Sequence, residues 1–335
     1  MKCILHIGTE KTGTTSIQNF LVHNSDLLLN QNYKITKSLG KINNSGLIQL
    51  ANENLLSTHV KKIQKINDEE YDKFLKRRKS DFKSEILNTN WPLKNKKKKV
   101  LLSSEFLQSY LNATDIFNLK STLIDIGFDE FDIILVLRPQ SEVIKSRLST
   151  GVIAGGHYKF LCNTNCIDLP KLYLKNSRLL DYGRTIKNWT KVFGINNIRL
   201  LDYNKIKKNS LETNFLQAID LELKIDDLKK ITMQNTSLPF KIILALNKLN
   251  KDNKLKILNK TVFINKVRQI KSNYVDYALS EASINMIDTN YQIMNKKIER
   301  KYTVDLNCNF QKIDVKVFHL EKELKSIMNA ARESL

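Results

Sequence analysis

Four short apolar runs constrain the fold of this chain more than any other feature of its sequence. They read CILHI from Cys3, VLLSS from Val100, DIILVL from Asp132 and IRLLD from Ile198. A turn or a segment with helical spacing follows each run, and near-continuous apolar runs are typical of strands buried on both faces. Strands that alternate with helices predict an α/β fold with a central, mostly parallel sheet covered on both sides.

The sequence between and beyond these runs predicts the rest of the organisation. TSIQNFLVHNSDLLLN, after the first run, has helical spacing. After the third run, Ser141 is the expected N-cap of a helix and Glu142 complements its dipole. We expect one domain over residues 1–335. It has an α/β core over 1–235, with a helical insertion at about 30–99, and a helical C-terminal portion over 236–335.

Composition narrows the class of protein but not its partner. The 55 Lys and Arg residues exceed the 34 Asp and Glu residues and give a net charge of +21, which favours anionic partners such as a nucleotide, an acidic glycan, nucleic acid or a membrane surface. A general richness in Lys, Asn and Ile explains the charge equally well. No apolar run is long enough to span a membrane, and the N-terminus leads straight into a strand, so we expect a cytoplasmic protein.

Cysteine usage does not predict a disulfide scaffold. The chain has four cysteines, of which Cys162 and Cys166 stand close together in CNTNC. That spacing suits a local bridge or half of a metal site, but no second Cys or His pair stands nearby to complete one. We expect unpaired thiols in a surface loop and no bound metal.

The stretch HIGTEKTGTTSIQ, from His6 to Gln18, has the features of an anion-binding loop. Strand, glycine, loop, glycine and helix follow one another, so backbone N–H groups at the start of the helix can converge on phosphate or sulfate. A nucleoside-triphosphate loop carries lysine directly after its second glycine, whereas Thr14 stands there and the basic residue is Lys11. A lysine in the loop body reaches towards a terminal group or leaving oxygen and makes magnesium less necessary. The alternative is a plain glycine turn between a strand and a helix.

This loop, read as EKTGTTS, resembles the 5′-phosphosulfate loop of sulfotransferases that use 3′-phosphoadenosine 5′-phosphosulfate (PAPS). The resemblance implies a P-loop NTPase-like three-layer fold and a PAPS donor. It also implies that Lys11 interacts with the bridging or leaving oxygen. The residues implied to hold the 5′-phosphate are Thr12, Gly13, Thr14, Thr15 and Ser16.

A second stretch, DIILVLRPQSEVIKSRL, is similar to the motif with which that family binds the 3′-phosphate of the donor. Arg138 ends the strand, Pro139 follows, and Ser146 stands eight residues after the arginine. Without the resemblance, Arg138 could serve a surface salt bridge and Ser146 could simply face solvent. Looser similarity extends through YGRTIKNWTKVFGINNIRLLDY and into the C-terminal portion, where Asn235 and Ser237 become candidates for lining the nucleotide site.

The acceptor hydroxyl of such a reaction needs a general base. Glu105, at the end of the second predicted strand, is the first candidate, because several glycan sulfotransferases resemble this arrangement with a carboxylate base. The alternative is that Glu105 only complements the dipole of the following helix. His157, in the glycine-containing loop GVIAGGHYKF, is the rival base, whereas His6 lies within the first strand and reads as a core histidine.

The sequence therefore predicts a PAPS-dependent sulfotransferase that acts on a hydroxyl of a carbohydrate or glycan. The main alternative is a P-loop nucleotide kinase or phosphotransferase, which the missing lysine after Gly13 disfavours. A basic nucleic-acid-binding protein and a sulfotransferase fold without activity are further alternatives. No nucleic-acid module is recognisable, and Lys11, Arg138 and Ser146 are all present.

Overall fold

The chain divides into two compact units. A computed structural model describes residues 1–174, 177–208, 210–221, 223, 228–229, 238–251, 260–270, 272, 277–308 and 311–333. The first unit comprises Met1–Arg138, Arg178–Met233 and Met294–Leu306, and the second comprises Pro139–Ser177, Gln234–Ile293 and Asn307–Leu335. The single domain expected over 1–335 stays a prediction.

A five-stranded parallel sheet forms the centre of the first unit. Its spatial order is β2-β3-β1-β4-β6. The strands are β1 (Lys2–His6), β2 (Tyr33–Ile35), β3 (Lys99–Ser103), β4 (Glu130–Leu137) and β6 (Ile198–Asp202). All four strands expected from the apolar runs are present and every pairing is parallel. The α/β prediction is confirmed.

Helices surround this sheet. They are α1 (Thr14–His23), α2 (Ser25–Asn30), α3 (Leu47–Ala51), α4 (Ser57–Gln64), α5 (Asp68–Leu87), α6 (Phe106–Tyr110), α7 (Ala113–Ile126), α9 (Tyr182–Phe193), α10 (Tyr203–Ile206) and α11 (Leu211–Ala218). A short 3₁₀ turn, Ile195–Asn197, precedes β6. The helix expected after β1 is interrupted at Asn24, whose side chain donates to Phe20 O at 2.9 Å. Such local side-chain bonding competes with helix continuation.

Alternate residues of the strands enter two separate hydrophobic clusters. Cys3, Leu5 and Ile7 belong to one cluster, which α3, α5, α6, α7 and α9 complete. Ile4 belongs to the other, which α1, α2 and α11 complete. Because successive side chains of a strand point to opposite faces, helices cover both faces of the sheet. The first unit therefore has three layers.

The second unit is mainly helical among its described residues. It contains α8 (Gln140–Ile153), α12 (Phe240–Lys251), α13 (Lys260–Arg268), α15 (Glu321–Arg332) and the start of α14 (Glu281–Lys301). The two-residue strands β5 (Cys166–Ile167) and β7 (Ala278–Leu279) pair in parallel, and a 3₁₀ turn spans Lys171–Leu174. Cys162 and Cys166 are free thiols, the first exposed and the second half-buried. Across the described ranges, no helix combines the length and the apolar character needed to cross a membrane.

Two details of the sequence reading are wrong. Pro139, with φ −50° and ψ 134°, is the N-cap of α8, so Ser141 lies inside the first turn instead of capping it. The ring of proline fixes φ and the helix begins directly after it. The stretch at 30–99 contains α3, α4 and α5 but also β2, whose three residues are too few to show a strand pattern.

His6 links the stability of the first unit to pH. The side chain is completely buried in β1, Nδ1 lies 2.8 Å from Ser103 Oγ, and Nε2 has no partner among the described residues. Burial lowers the pKa of His6 from 6.5 to about 3. The unfolded chain therefore binds a proton between these values while the folded chain does not, so stability is full above pH 6.5 and falls as pH decreases.

We expect the wild-type free energy of unfolding to fall by about 1.4 kcal/mol per pH unit from this residue below its unfolded pKa. His6→Gln should remove that part of the slope. Urea unfolding followed by tryptophan fluorescence measures it, because Trp91 and Trp189 both belong to the first unit. Ser103→Ala is the control, since it deletes the hydrogen bond but keeps the burial that causes the shift. An unchanged slope in His6→Gln would contradict the assignment.

Candidate functional site

The candidate site lies where strands of the first unit end. The loop of residues 7–13 follows β1, Glu105 follows β3, Arg138 follows β4, and Tyr203 follows β6. All four strands run in the same direction, so their carboxyl ends meet at one edge of the sheet. Open α/β sheets bind ligands at this edge, next to the strand where the order of connection reverses.

The loop after β1 is fixed by continued pairing with β4. Ile7 N–H donates to Ile134 O at 3.0 Å and Thr9 N–H donates to Val136 O at 2.9 Å. The buried Thr12 donates its hydroxyl to Thr9 O at 2.6 Å. The hydroxyl proton of Thr12 is thus used inside the loop, where it links Thr12 to the backbone of Thr9.

The loop ends at the N-terminus of α1, which has the properties of an anion site. Gly13 is the N-cap, with φ 75° and ψ 18° in the left-handed region, and has no side chain to cap the helix. Ile17 N–H makes the first helical bond, to Gly13 O at 3.1 Å. The preceding N–H groups, of Thr14, Thr15 and Ser16, therefore have no intrahelical acceptor. Thr14 is buried, Thr15 is exposed and Ser16 is half-buried.

Gly13 is also closely packed by side chains. An added Cβ would overlap Leu211 Cδ2 and would lie 3.4 Å from the ring of Tyr203. A glycine here lets α1 begin directly against α11 and leaves its first turn open to a ligand.

Arg138 binds the body of the loop. Its Nη1 donates to Lys11 O at 3.0 Å, and its guanidinium lies 4.9 Å from the ring centroid of Tyr203. Tyr182 donates its hydroxyl to Arg138 O at 2.6 Å, which fixes the backbone. Lys11 itself has a left-handed φ of 67° and is half-buried. Arg138, at the end of β4, thus contacts the loop that carries Lys11.

Glu105 lies against the start of the same loop. An added Cβ on Gly8 would be 3.0 Å from Glu105 Cα. Glu105 Oε2 accepts hydrogen bonds from Gln18 Nε2 at 2.8 Å and Asn43 Nδ2 at 2.9 Å. Glu105 is the N-cap residue of α6 but its carboxylate makes no capping hydrogen bond. The hydrogen bonds of the carboxylate are thus made to α1 and to the loop around residue 43.

Two predicted site residues belong to the second unit. Ser146 is half-buried on α8, where its carbonyl accepts from Thr150 Oγ1 at 3.0 Å. His157 is exposed, with Nδ1 3.0 Å from Asn247 O. Asn235 and Ser237 lie outside the described residues. The roles of these four residues stay predictions from the sequence.

Sequence reasoning missed three residues at this edge. Tyr203 directly follows β6, and the rule that ligands bind at carboxyl ends of strands would have indicated it. Gln18 stands one helical turn beyond Thr14, a position that carries no motif of its own. Asn43 gave no signal, because it stands in a polar turn that comes close to Glu105 only in the folded chain. No group of three His, Cys, Asp or Glu side chains within the described ranges could hold a metal ion.

Comparison with known proteins gives a limited result. No protein-family model matches the chain, and no curated protein matches its sequence. Among solved structures, it is similar to a sulfotransferase from Alicyclobacillus acidocaldarius, with a TM-score of 0.35 and 12% sequence identity, over 74% of this chain and 91% of that chain. Likeness at this level carries no argument about activity, so any functional conclusion depends on the residues of the site.

The contact between Gly8 and Glu105 can be tested by substitution. Gly8 and Gly127 have similar φ values, 99° and 114°, but among the described residues a Cβ on Gly127 meets only Met1 Cε, at 3.6 Å. Both alanine variants incur backbone strain of about 1–2 kcal/mol. We expect Gly8→Ala to lose about 1–3 kcal/mol more, because the new methyl group displaces Glu105. Urea unfolding monitored by tryptophan fluorescence compares the two variants, and equal losses would mean that Gly8 and Glu105 do not pack as described.

Proposed function

We propose that the protein is a PAPS-dependent sulfotransferase that transfers a sulfuryl group to a hydroxyl of a carbohydrate or glycan. The observation that carries the proposal is the convergence on one loop of an uncapped helix N-terminus, two cations and one carboxylate. These are the first turn of α1, Lys11, Arg138 and Glu105. Anion binding, charge stabilisation and proton removal are the three tasks that such a transfer requires.

The residues present suit the donor chemically. PAPS, when bound, supplies a sulfuryl group whose sulfur–oxygen bond to the 5′-phosphate breaks while a new bond forms to the acceptor oxygen, and the electron pair leaves on the phosphate. The N–H groups at the start of α1 would hold the 5′-phosphate, because they have no intrahelical partner and lie at the positive end of the helix dipole. Lys11 would neutralise the charge that develops on the leaving oxygen.

Arg138 would hold the 3′-phosphate of the donor. A guanidinium offers paired donors that match a phosphate dianion, and the bonds of Arg138 to the loop fix its position. Ser146, assigned to the same phosphate by the sequence pattern, remains part of the proposal on that ground alone. Neither role requires a metal ion.

Glu105 would act as the general base. Its carboxylate would take the proton of the acceptor hydroxyl as the oxygen bonds to sulfur, and would later release it to solvent. The place of Glu105 at the start of the donor loop supports this role. His157 stays the rival base, and a carboxylate base is what makes a carbohydrate or glycan the proposed acceptor class.

Calorimetric titration with 3′-phosphoadenosine 5′-phosphate tests the donor site. We expect binding that needs the 3′-phosphate and no magnesium, and that is stronger than binding of AMP or of ATP with magnesium. Arg138→Ala should weaken the affinity by about 10-fold to 100-fold, as expected for a lost charged hydrogen bond of about 1.5–3 kcal/mol. Lys11→Ala should reduce transfer much more than it weakens nucleotide binding.

Arg77→Ala is the matched control for these variants. Arg77 is 84% exposed and pairs only with Asp81 among the described residues, so its loss changes net charge without touching the loop. Preference for magnesium ATP would support the kinase alternative. Equal, small effects of Lys11→Ala and Arg138→Ala would refute the assignment of the site.

Glu105→Gln tests the base. We expect turnover to fall by about 10²-fold to 10⁴-fold, the usual contribution of a general base, while affinity for the product nucleotide stays unchanged. The assay follows labelled sulfuryl transfer from PAPS to a panel of glycosides. Glu69→Gln, at an exposed carboxylate paired with Lys73, is the control. Unchanged turnover in Glu105→Gln together with its loss in His157→Ala would assign the base to His157.

A further inference from the structure

The carboxylate of Glu105 is bound asymmetrically. Its Oε2 accepts both side-chain amides, from Gln18 and from Asn43. No hydrogen-bond donor among the described residues contacts Oε1, and Glu105 forms no ion pair within the same ranges. One oxygen is therefore fully occupied by neutral donors, and the other is available to a ligand.

Gln18 is fixed by a second bond, to the last residue of β3. The side chain is only 3% exposed, and Nε2 also lies 3.3 Å from Ser103 Oγ. Ser103 Oγ lies in turn 2.8 Å from Nδ1 of the buried His6. Both protons of the Gln18 amide are thus used, one on Ser103 and one on Glu105, so the amide cannot rotate without losing a buried hydrogen bond.

Asn43 is held by the attachment of its loop to the end of β3. The neighbouring Asn44 donates its N–H to Ser103 O at 2.9 Å and accepts from Ser103 N–H, through Oδ1, at 2.8 Å. A third bond runs from Asn44 Nδ2 to Thr36 O at 3.2 Å. These bonds hold Asn43 beside Glu105. Reversing the Asn43 amide would set its oxygen against the carboxylate, so Nδ2 is the atom that faces Glu105.

We propose that Gln18 and Asn43 are positioning residues that hold Glu105 Oε2 and leave Oε1 as the oxygen that takes the proton of the acceptor. This inference rests on the proposed function. Two N–H donors to one oxygen fix the plane of the carboxylate and therefore the direction of its second oxygen. The acceptor O–H proton moves to Oε1 as the acceptor oxygen bonds to sulfur, and the electron pair leaves on the 5′-phosphate.

The position of Gln18 adds a second consequence. Gln18 stands four residues after Thr14 on α1, so the helix whose first turn would bind the 5′-phosphate also binds the base. One rigid element therefore sets the distance between the donor and the base. A small error in this distance is costly, because in-line transfer depends on alignment.

Carbon-detected NMR of protein labelled at the side-chain carboxyl carbon of glutamate tests the inference directly. The resonance lost in Glu105→Gln identifies Glu105, and its chemical shift is then compared at one pH in the wild type, Gln18→Met and Asn43→Ala. We expect the resonance to move in each variant, because each removes one hydrogen bond from Oε2. Asn52→Ala is the matched control, since it deletes a hydrogen bond of 2.9 Å from a side-chain amide to another carboxylate, that of Asp115.

A Glu105 resonance that is the same in the wild type and both variants would overturn the inference. Gln18 is buried, so Gln18→Met risks misfolding, but Asn43→Ala changes a half-buried loop residue and tests the same oxygen. Turnover should fall in both variants with the Michaelis constant for PAPS nearly unchanged, because the base is misdirected while the donor site stays intact. The NMR comparison needs neither donor nor acceptor. A protein that binds no 3′-phosphoadenosine 5′-phosphate would refute the proposed function, whereas an unmoved resonance would refute the positioning role alone.

Discussion

The parallel pairing of β1 between β3 and β4 is the constraint on which the rest of the site depends. Because β3 and β4 pair with the two edges of β1, β1 is an interior strand, and the loop that follows it begins between the ends of its two neighbours. The register places Ile4 beside Leu101 of β3 and Asp132 of β4. The ends of the three strands are thereby brought together. Glu105 and Arg138 consequently flank the loop, although they stand far from it in the sequence.

Packing limits what the loop itself can be. Gly8 lies against the backbone of Glu105, and Gly13 lies against Leu211 and Tyr203. Both glycines have positive φ. A side chain at either position would collide with a neighbour and strain the backbone. The two glycines therefore serve close approach as well as turning. The spacing of the two glycines suggests a nucleotide loop in the sequence. In the structure each glycine also stands where a neighbour comes close to the loop, Glu105 at Gly8 and Leu211 at Gly13.

The sequence was sufficient for four of the five strands of the sheet and for the loop that follows β1. Buried strands produce near-continuous apolar runs, and a glycine loop between a strand and a helix is visible without a structure. Short elements were less visible. The three residues of β2 pair with β3, and Tyr33 also donates its hydroxyl to Ile219 O, a contact across 186 positions that no local pattern encodes. The same limit explains why Gln18 and Asn43 were missed, since each bonds to Glu105 over more than 60 positions.

Glu105 takes its hydrogen bonds from two neutral amides, those of Gln18 and Asn43, and from no cation among the described residues. Because both donors bind the same oxygen, the plane of the carboxylate is fixed by α1 on one side and by the loop attached to the end of β3 on the other. In the proposed reaction this arrangement sets the direction in which Oε1 faces the acceptor. The same helix, α1, connects the proposed base to the turn that would hold the 5′-phosphate, so a single rigid element relates the two.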